Sequence, residues 1–180
     1  MDSTGRPDIL ITSFATWLPH QASNASDDLL LHFLETSGKH YTLLRHLPVD
    51  HVLAPLQLID AVDRLHPRMV VCCGMAEERT GLSAESQAVM DGTVLRTGLD
   101  LQALTKGLEA TSISNDAGDF VCNTLYFRCL EHRPKAALPY ECLFIHVPVL
   151  TAENTPPLLK AFRTILERLE RLTPPRPSSR

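Results

Sequence analysis

The sequence lacks the features that mark several classes of protein. Its formal net charge is -4 at pH 7, so it has no basic field that would attract nucleic acid or an anionic membrane. No uninterrupted apolar stretch approaches the length of a membrane-spanning helix. Residues 1–12 lack the long apolar region and the small-residue cleavage site of a signal peptide. We therefore expect no nucleic-acid partner, no membrane partner and, by default, a cytoplasmic location.

Disulfide frameworks and zinc sites are not indicated either. The sequence has five cysteines, an odd number, and no two of them have CxxC spacing. Disulfides are rare in the reducing cytosol, and zinc sites usually contain ligand pairs about two to four residues apart. The one close pair, Cys72 and Cys73, ends an apolar run, so we interpret both as small core residues rather than as metal or redox ligands.

The chain length and composition fit one globular domain. Its 180 residues suffice for one domain with a sizeable core and are too few for two of typical size. Hydrophobic residues make up 44% and charged residues 21%, which are ordinary proportions. Neither an internal repeat nor a low-complexity linker divides the chain. We predict a single domain over residues 1–172 and a disordered tail over residues 173–180, which are rich in proline and polar side chains.

Strands and helices alternate along the predicted domain. Apolar runs predict strands, and apolar residues at helical spacing predict helices. The predicted strands cover residues 8–12, 41–47, 69–73, 110–114 and 143–147, and the predicted helices cover 27–36, 54–65, 101–108, 121–132 and 155–172. Alternation of this kind predicts an α/β domain with a mostly parallel sheet and helices on both faces.

Three segments lie where chemistry is expected in such a sheet, beyond the carboxyl ends of strands. They are residues 74–85, 114–123 and 144–148, and each contributes one group useful for acyl transfer: Glu85, Cys122 and His146. Together these supply a nucleophile, a base and an orienting carboxylate. The other charged residues of the first segment, Glu77, Glu78 and Arg79, are expected to form a solvated loop.

Each of the three groups also has a simpler interpretation. Cys122 falls near the start of a predicted helix, where unpaired N–H groups and the helix dipole lower the pKa of a thiol. A lone cysteine is nevertheless more often a buried inert residue. His146 is equally compatible with a satisfied core histidine, and Glu85 with a solvated residue near a helix cap.

Three sequence motifs, around Glu85, Cys122 and His146 in that order along the chain, indicate a family resemblance. The segment SNDAGDFVCN is similar to the nucleophile motif of the pyroglutamyl peptidase I (pyrrolidone-carboxylate peptidase) family, S-x-x-A-G-x-[YF]-x-C-N. The segment GMAEERTGLSAE resembles that family's G-x-A-x-x-R-x-x-[IL]-x-x-E, and FIHVPVL resembles its histidine motif. The matching residues are Ser114, Ala117, Gly118, Phe120, Cys122 and Asn123; Gly74, Ala76, Arg79, Leu82 and Glu85; and His146.

The resemblance implies a fold, an activity and a set of site residues. It implies a three-layer α/β/α sandwich with a mostly parallel twisted central sheet, of the phosphorylase/hydrolase-like kind. It also implies a cysteine peptidase that removes an amino-terminal pyroglutamyl residue from blocked peptides through a thioester, without metal or organic cofactor. Cys122 would be the nucleophile, His146 the base and Glu85 the orienting carboxylate. The expected substrate-binding residues are Phe14, Trp17, Phe120, Val121 and Arg96.

The sequence departs from the family pattern around the substrate. Trp17 replaces the second aromatic of the first loop, Met75 replaces a glutamine, and Glu77-Glu78 replace a pair of glycines. The stretch after Glu85 is shortened, and Arg96 takes the place of the family's arginine only loosely. Three hypotheses therefore stay open: a pyroglutamyl peptidase, a related cysteine hydrolase with altered acyl specificity, or a homologue that has lost catalysis and acts as a binding or assembly protein. Association into homo-oligomers is also open, because Leu166 and Leu169 suit either a core or an interface.

Overall fold

A computed structural model describes residues 8–172, so the predicted tail at 173–180 lies outside the described residues. The structure has eight strands, five α-helices and one 3₁₀ helix within that range. In chain order these are β1 (Ile9–Phe14), α1 (Ala25–Ser37), β2 (Thr42–Leu47), α2 (Leu53–Leu65), β3 (Met69–Met75), β4 (Leu82–Glu85), β5 (Gln87–Met90), β6 (Thr93–Arg96), α3 (Leu101–Thr105), β7 (Thr111–Ser114), α4 (Val121–His132), the 3₁₀ helix (Arg133–Lys135), β8 (Glu141–Val147) and α5 (Thr155–Leu172).

The five predicted strands and five predicted helices are all present, with ends shifted by a few residues. The helix predicted over residues 101–108 is shorter than expected, since α3 ends at Thr105. Gly107 follows in the left-handed region with φ of 73°, a conformation that glycine adopts readily and that a helix cannot continue through.

A six-stranded sheet has the strand order β2-β1-β3-β8-β4-β7, and its first four strands are parallel to one another. The apolar run at 69–73 is strand β3, and its residues are buried, as expected for a parallel strand covered on both faces. The register of β3 with β8 places Gly74 opposite His146. The carboxyl ends of these two strands therefore lie side by side, about 4.8 Å apart.

Helices cover both faces of the sheet. Helices α1, α3 and α5 pack on one face with residues such as Leu29, Leu104 and Phe162, and α2 and α4 pack on the other with Leu58 and Leu125. The domain is thus the three-layer α/β/α sandwich that was expected. In α5 Leu166 and Leu169 are both 0% exposed, so they belong to the core of this domain. Within residues 8–172 no helix is long and apolar enough to cross a membrane.

Strand β4 was not predicted, and the predicted strand β7 runs antiparallel to β8. The prediction treats residues 74–85 as a loop, whereas Leu82–Glu85 is a short buried strand, antiparallel to β8 and parallel to β7. Consequently the carboxyl ends of β4 and β7 do not share the edge at which β3 and β8 end. Glu85 lies opposite Phe144, near the middle of β8.

The segment after Glu85 forms a hairpin that was not predicted. Strands β5 and β6 pair only with each other, and Gln87 lies opposite Arg96. The turn between them, Asp91-Gly92, has positive φ at both residues, 48° and 75°. Two such residues fit the two-residue turn that matches the twist of a hairpin. The hairpin packs against α4.

Candidate active site

His146 and Glu85 meet on the sheet face that α4 covers. They are diagonal neighbours across the antiparallel pair β4–β8, because Glu85 lies opposite Phe144. Side chains at diagonal positions on one face reach each other when they are long. Here His146 Nδ1 lies 2.8 Å from Glu85 Oε1. Since an ionised carboxylate only accepts hydrogen bonds, Nδ1 donates, and Nε2 is then the acceptor nitrogen of the neutral ring.

Both members of this pair are almost wholly excluded from water. Glu85 is 0% and His146 is 5% exposed. A buried carboxylate is costly unless other groups compensate its charge. Arg79 Nη2 lies 3.8 Å from Glu85 Oε1, whereas Glu85 Oε2 has no hydrogen-bond partner within the described chain. The imidazole is therefore the close partner of this carboxylate, and the guanidinium is a more distant one.

Arg79 is a partly exposed loop residue, with 38% of its side chain accessible, and it also makes specific contacts that the sequence does not predict. Its Nη2 donates to the Asp116 carbonyl oxygen at 3.1 Å and to Ser114 Oγ at 3.4 Å. These contacts tie the loop before β4 to the turn that leads from β7 to α4. The turn is shaped by Gly118, which has φ of 79° and whose N–H donates to Asp116 Oδ1 at 2.9 Å. Arg79 thus joins the two segments that carry Glu85 and Cys122.

Cys122 is the second residue of α4, and its sulfur lies against strand β3 at Gly74. A β-carbon at Gly74 would stand 2.7 Å from Cys122 Sγ and 2.8 Å from Phe144 Cζ. Only glycine leaves space for the sulfur at this position. Gly74 is also the register partner of His146, so sulfur and imidazole occupy neighbouring positions at the same end of adjacent strands.

The contact between sulfur and imidazole stays a prediction. Among residues 8–172 no hydrogen bond joins Cys122 Sγ to the His146 ring. The sulfur lies next to Gly74, and the ring is hydrogen-bonded to Glu85. Catalytic hydrogen bonds are often long before substrate binds and tighten in the complex. The assignment of Glu85, Cys122 and His146 as catalytic residues therefore rests on their placement at one site.

The protonation of Cys122 differs from the expectation of a low thiol pKa at a helix start. Burial raises the pKa of the Cys122 thiol to about 12, and the charge of Glu85 adds to the rise, while the backbone N–H of Cys122 acts in the opposite direction. Desolvation of the thiolate thus outweighs the helix terminus. The resting group is a thiol, so catalysis by Cys122 would require another group to take its proton.

A cavity of about 260 Å³ opens beside the Cys122 sulfur. Four of the five predicted substrate-binding residues line it: Phe14, Trp17, Phe120 and Val121. The rings of Trp17 and Phe120 lie 4.8 Å apart between centroids. Phe14 is 2% exposed, whereas Trp17 is 51% and Phe120 is 41% exposed, so the cavity has a buried aromatic floor and an open aromatic edge.

Arg96 is the predicted substrate-binding residue that the structure does not bring to this cavity. It ends strand β6 of the hairpin, is exposed, and is absent from the described residues that line the cavity. The hairpin turns the chain back toward Ser86, whose carbonyl oxygen accepts from the N–H of Thr97. The weak sequence match at Arg96 gave no indication of this hairpin.

Two residues that support the site were assigned no role from the sequence. Tyr126, one helical turn after Cys122, donates its hydroxyl to the Glu85 carbonyl oxygen at 2.9 Å. Asn123 accepts from the N–H of Val89 at 3.0 Å and donates to the Val89 carbonyl oxygen at 2.6 Å. The nucleophile motif, which contains Asn123, could have identified that residue. For Tyr126 the only indication in the sequence is its spacing of one helical turn from Cys122.

Metal ligands are not grouped within the described residues. No set of three or more histidine, cysteine, aspartate or glutamate side chains in residues 8–172 is arranged to hold a metal ion. The cysteines in this range are free thiols. Cys72 and Cys73 are 0% exposed, which confirms that they are core residues.

Comparison with known sequences agrees with the motifs. The family described as pyroglutamyl peptidase matches residues 93–157, a range that contains Cys122 and His146. The pyrrolidone-carboxylate peptidase of Pseudomonas fluorescens (strain SBW25) is 30% identical over 139 residues, which are 63% of this chain and 64% of the relative. That of Bacillus thuringiensis (strain Al Hakam) is 25% identical over 150 residues, 68% of this chain and 70% of the relative. The match to the Pseudomonas protein thus spans less than two thirds of its length.

Comparison with solved structures extends over nearly the whole chain. Pyroglutamyl peptidase I of Bacillus amyloliquefaciens superposes with a TM-score of 0.78 at 16% identity, covering 92% of this chain and 98% of that one. Pyrrolidone carboxyl peptidase of Thermococcus litoralis superposes with a TM-score of 0.76 at 20% identity, covering 97% of this chain and 100% of that one. These likenesses confirm the predicted fold class. The resemblance seen in the three motifs is confirmed as well: the chain is similar to pyroglutamyl peptidases in sequence over part of its length and in fold over most of it.

Proposed function

We propose that this protein is a cysteine peptidase that removes an amino-terminal pyroglutamyl residue from peptides. The observation that carries the proposal is the buried hydrogen bond of 2.8 Å between His146 Nδ1 and Glu85 Oε1, on the same sheet face as the Cys122 sulfur at Gly74. These three groups would supply the nucleophile, the base and the group that orients the base. The names and folds of the relatives support the same activity.

The proposed reaction begins with attack of the Cys122 sulfur on the carbonyl carbon of the peptide bond that follows the pyroglutamyl residue. The thiol proton passes to His146 Nε2, and Glu85 stabilises the imidazolium and holds the ring. The N–H groups in the first turn of α4 have no intrahelical partner and can donate to the developing oxyanion. His146 then protonates the leaving amine as the carbon–nitrogen bond breaks. Water, deprotonated by His146, hydrolyses the thioester and restores the thiol.

One observation favours a second candidate function. Met75 lines the cavity, and its sulfur accepts from the N–H of Ala25 at 3.4 Å. A thioether cannot supply the amide hydrogen bonds of the glutamine that the family usually has there, and an unpaired lactam group loses discrimination. The second candidate is therefore a cysteine hydrolase that uses the same three residues on a different acyl group.

A fluorogenic pyroglutamyl amide, assayed under reducing conditions, tests the proposal. We expect release of the fluorophore by the unaltered protein and its loss in Cys122→Ser, with an unchanged thermal unfolding midpoint. A substrate that stays intact would contradict pyroglutamyl specificity. Alkylation of Cys122 by iodoacetamide then separates the remaining hypotheses: a rate that falls in His146→Ala supports a hydrolase of other specificity, and a rate insensitive to His146 supports a binding protein.

A further inference from the structure

Glu77 is the only charged side chain among the described residues that line the cavity beside Cys122. It lies in the loop between β3 and β4, and its side chain is 47% exposed. Glu78, the next residue, is exposed as well but does not line this cavity. The two carboxylates therefore differ in position, although they are adjacent in sequence and identical in charge.

The two amide side chains that line the cavity, Gln21 and Asn24, already make hydrogen bonds to nearby residues of the chain. Gln21 Oε1 accepts from the N–H groups of Trp17 and Leu18, each at 3.2 Å. Asn24 Oδ1 accepts from the N–H and the hydroxyl of Ser26, and Asn24 Nδ2 donates to the Ala15 carbonyl oxygen at 3.1 Å. Neither amide has its full capacity left for a ligand.

Glu77 retains such capacity. Its Oε1 accepts from Gln21 Nε2 at 2.9 Å and lies 3.6 Å from His20 Nε2. Its Oε2 has no hydrogen-bond or ion-pair partner among residues 8–172. A carboxylate oxygen can accept two hydrogen bonds, so Glu77 is held in place through one oxygen and keeps the other available for a ligand.

We propose that Glu77 makes this site select peptides with a cationic side chain on the residue that leaves, an inference that rests on the proposed function. The acyl group that Cys122 attacks must enter the apolar part of the cavity, next to Phe14 and Val121. The leaving residue extends toward solvent, where the exposed Glu77 lies. Attraction between opposite charges at such a position favours lysine or arginine over a neutral residue and disfavours an acidic one.

Turnover of three pyroglutamyl dipeptide amides tests the inference. The amides carry arginine, glutamine or glutamate after the pyroglutamyl group, and release of the amino-acid amide is followed by chromatography at pH 8, where histidine side chains are largely uncharged. We expect kcat/KM to fall in the order arginine, glutamine, glutamate, by about twofold to fivefold per step. The differences should shrink as ionic strength rises.

Two variants with the same change in net charge separate a local effect from the overall acidity of the protein. Glu77→Gln keeps an oxygen that accepts from Gln21, so the loop stays anchored, and we expect nearly equal turnover of the three amides. Glu78→Gln should keep the order of the unaltered protein. Equal kcat/KM values in the unaltered protein, or an unchanged order in Glu77→Gln, would overturn the inference.

Binding provides a readout that does not depend on the proposed reaction. Trp17 is the only tryptophan of the chain and lines the cavity, so its fluorescence reports a bound ligand in Cys122→Ser. Tighter binding of the arginine amide, lost in Glu77→Gln, supports the inference even where turnover fails. Absent turnover alone contradicts the proposed function, whereas equal affinities for the three amides contradict the role of Glu77.

Discussion

The candidate site has two sides that are built in different ways. The sheet side consists of Glu85 and His146, which lie on paired strands and are at most 5% exposed. The loop side consists of Trp17 and Phe120, which are 51% and 41% exposed and come from segments outside the strands. The register of a buried sheet fixes the groups that are proposed to carry out chemistry, while surface loops provide the side chains that are proposed to select the substrate.

This difference explains where the chain departs from its relatives' pattern. The motifs around Glu85, Cys122 and His146 match the family, and their residues depend on strand pairing and on the space at Gly74. The replacements at Trp17 and Glu77 lie in loops, where a change of side chain leaves the sheet intact. These two departures therefore lie on the loop side of the candidate site, whereas the departure at Met75 lies at the end of strand β3.

The largest expected effect comes from breaking the sheet side at its carboxylate. Glu85→Gln removes the charge that stabilises the imidazolium and permits the wrong imidazole tautomer, so we expect kcat for the pyroglutamyl amide to fall about 10²-fold to 10⁴-fold. Glu78→Gln is the matched control and should change kcat less than about twofold, as surface substitutions usually do little. A comparable kcat in both variants would contradict the assignment of Glu85.

The next largest effect is expected at Gly74, where the sheet side contacts the nucleophile. An added methyl group would stand 2.7 Å from Cys122 Sγ, so Gly74→Ala must displace the sulfur. A shift of about 1 Å in a reacting group can cost about 10²-fold in rate. We expect a loss of that order in kcat, measured with thermal unfolding to establish that the variant folds. Ala76→Ser, which adds one atom two residues further along the chain, is the control. Full activity in Gly74→Ala would show that the sulfur is placed elsewhere.

The next effect concerns Asp27 in helix α1, whose replacement is expected to change the free energy of unfolding rather than kcat. Asp27 Oδ1 and Oδ2 each accept from Arg45 at 2.8 Å, and Oδ1 accepts from Ser13 Oγ at 2.6 Å. Burial raises the pKa of Asp27, but the hydrogen bonds from Arg45, Ser13 and His46 outweigh it and hold the pKa well below the ordinary value. Asp27→Asn should lower the free energy of unfolding at pH 7 by about 2 kcal/mol.

The pH dependence of this difference follows from the sign of the shift. Because the folded-state pKa of Asp27 is lowered, its stabilisation is complete above the unfolded value of about 3.9 and is lost as pH falls toward the folded-state pKa. Urea unfolding of the unaltered protein and of Asp27→Asn at pH 7, 5 and 3 should show a constant difference that shrinks only at pH 3. A difference that does not depend on pH would exclude the ionised carboxylate as its source.

The smallest effect is expected on the loop side itself. Trp17→Ala removes one of two aromatic rings in contact at an exposed edge, and aromatic pairs contribute about 0.5–1.5 kcal/mol. We expect KM for the pyroglutamyl amide to rise several-fold with little change in kcat, because the sheet side is untouched. Arg96→Gln, on the hairpin, should leave both constants unchanged and serves as the control. A large fall in kcat for Trp17→Ala would erase the distinction between the two sides.

Much of the architecture follows from local sequence patterns. The apolar run at 69–73 identifies β3, because a parallel strand covered on both faces is apolar at successive positions. The helical spacing at 155–172 identifies α5, because its buried residues recur with the period of a helix. Strand β4 gave no such signal, since it is only four residues long and two of its buried residues, Ser83 and Glu85, are polar. The hairpin β5–β6 was missed as well, because its two short strands pair only with each other.

The sequence by itself determined five of the eight strands, the five helices, the α/β class and the three residue types that the proposed chemistry needs. Only the tertiary structure decided that Glu85 reaches His146 across an antiparallel pair, that Gly74 leaves space for the Cys122 sulfur, and that Glu77 rather than Glu78 lines the cavity. The physical reason is that strand direction, register and contact between distant segments depend on which segments pair. The hydrophobic periodicity within one segment does not indicate its partner.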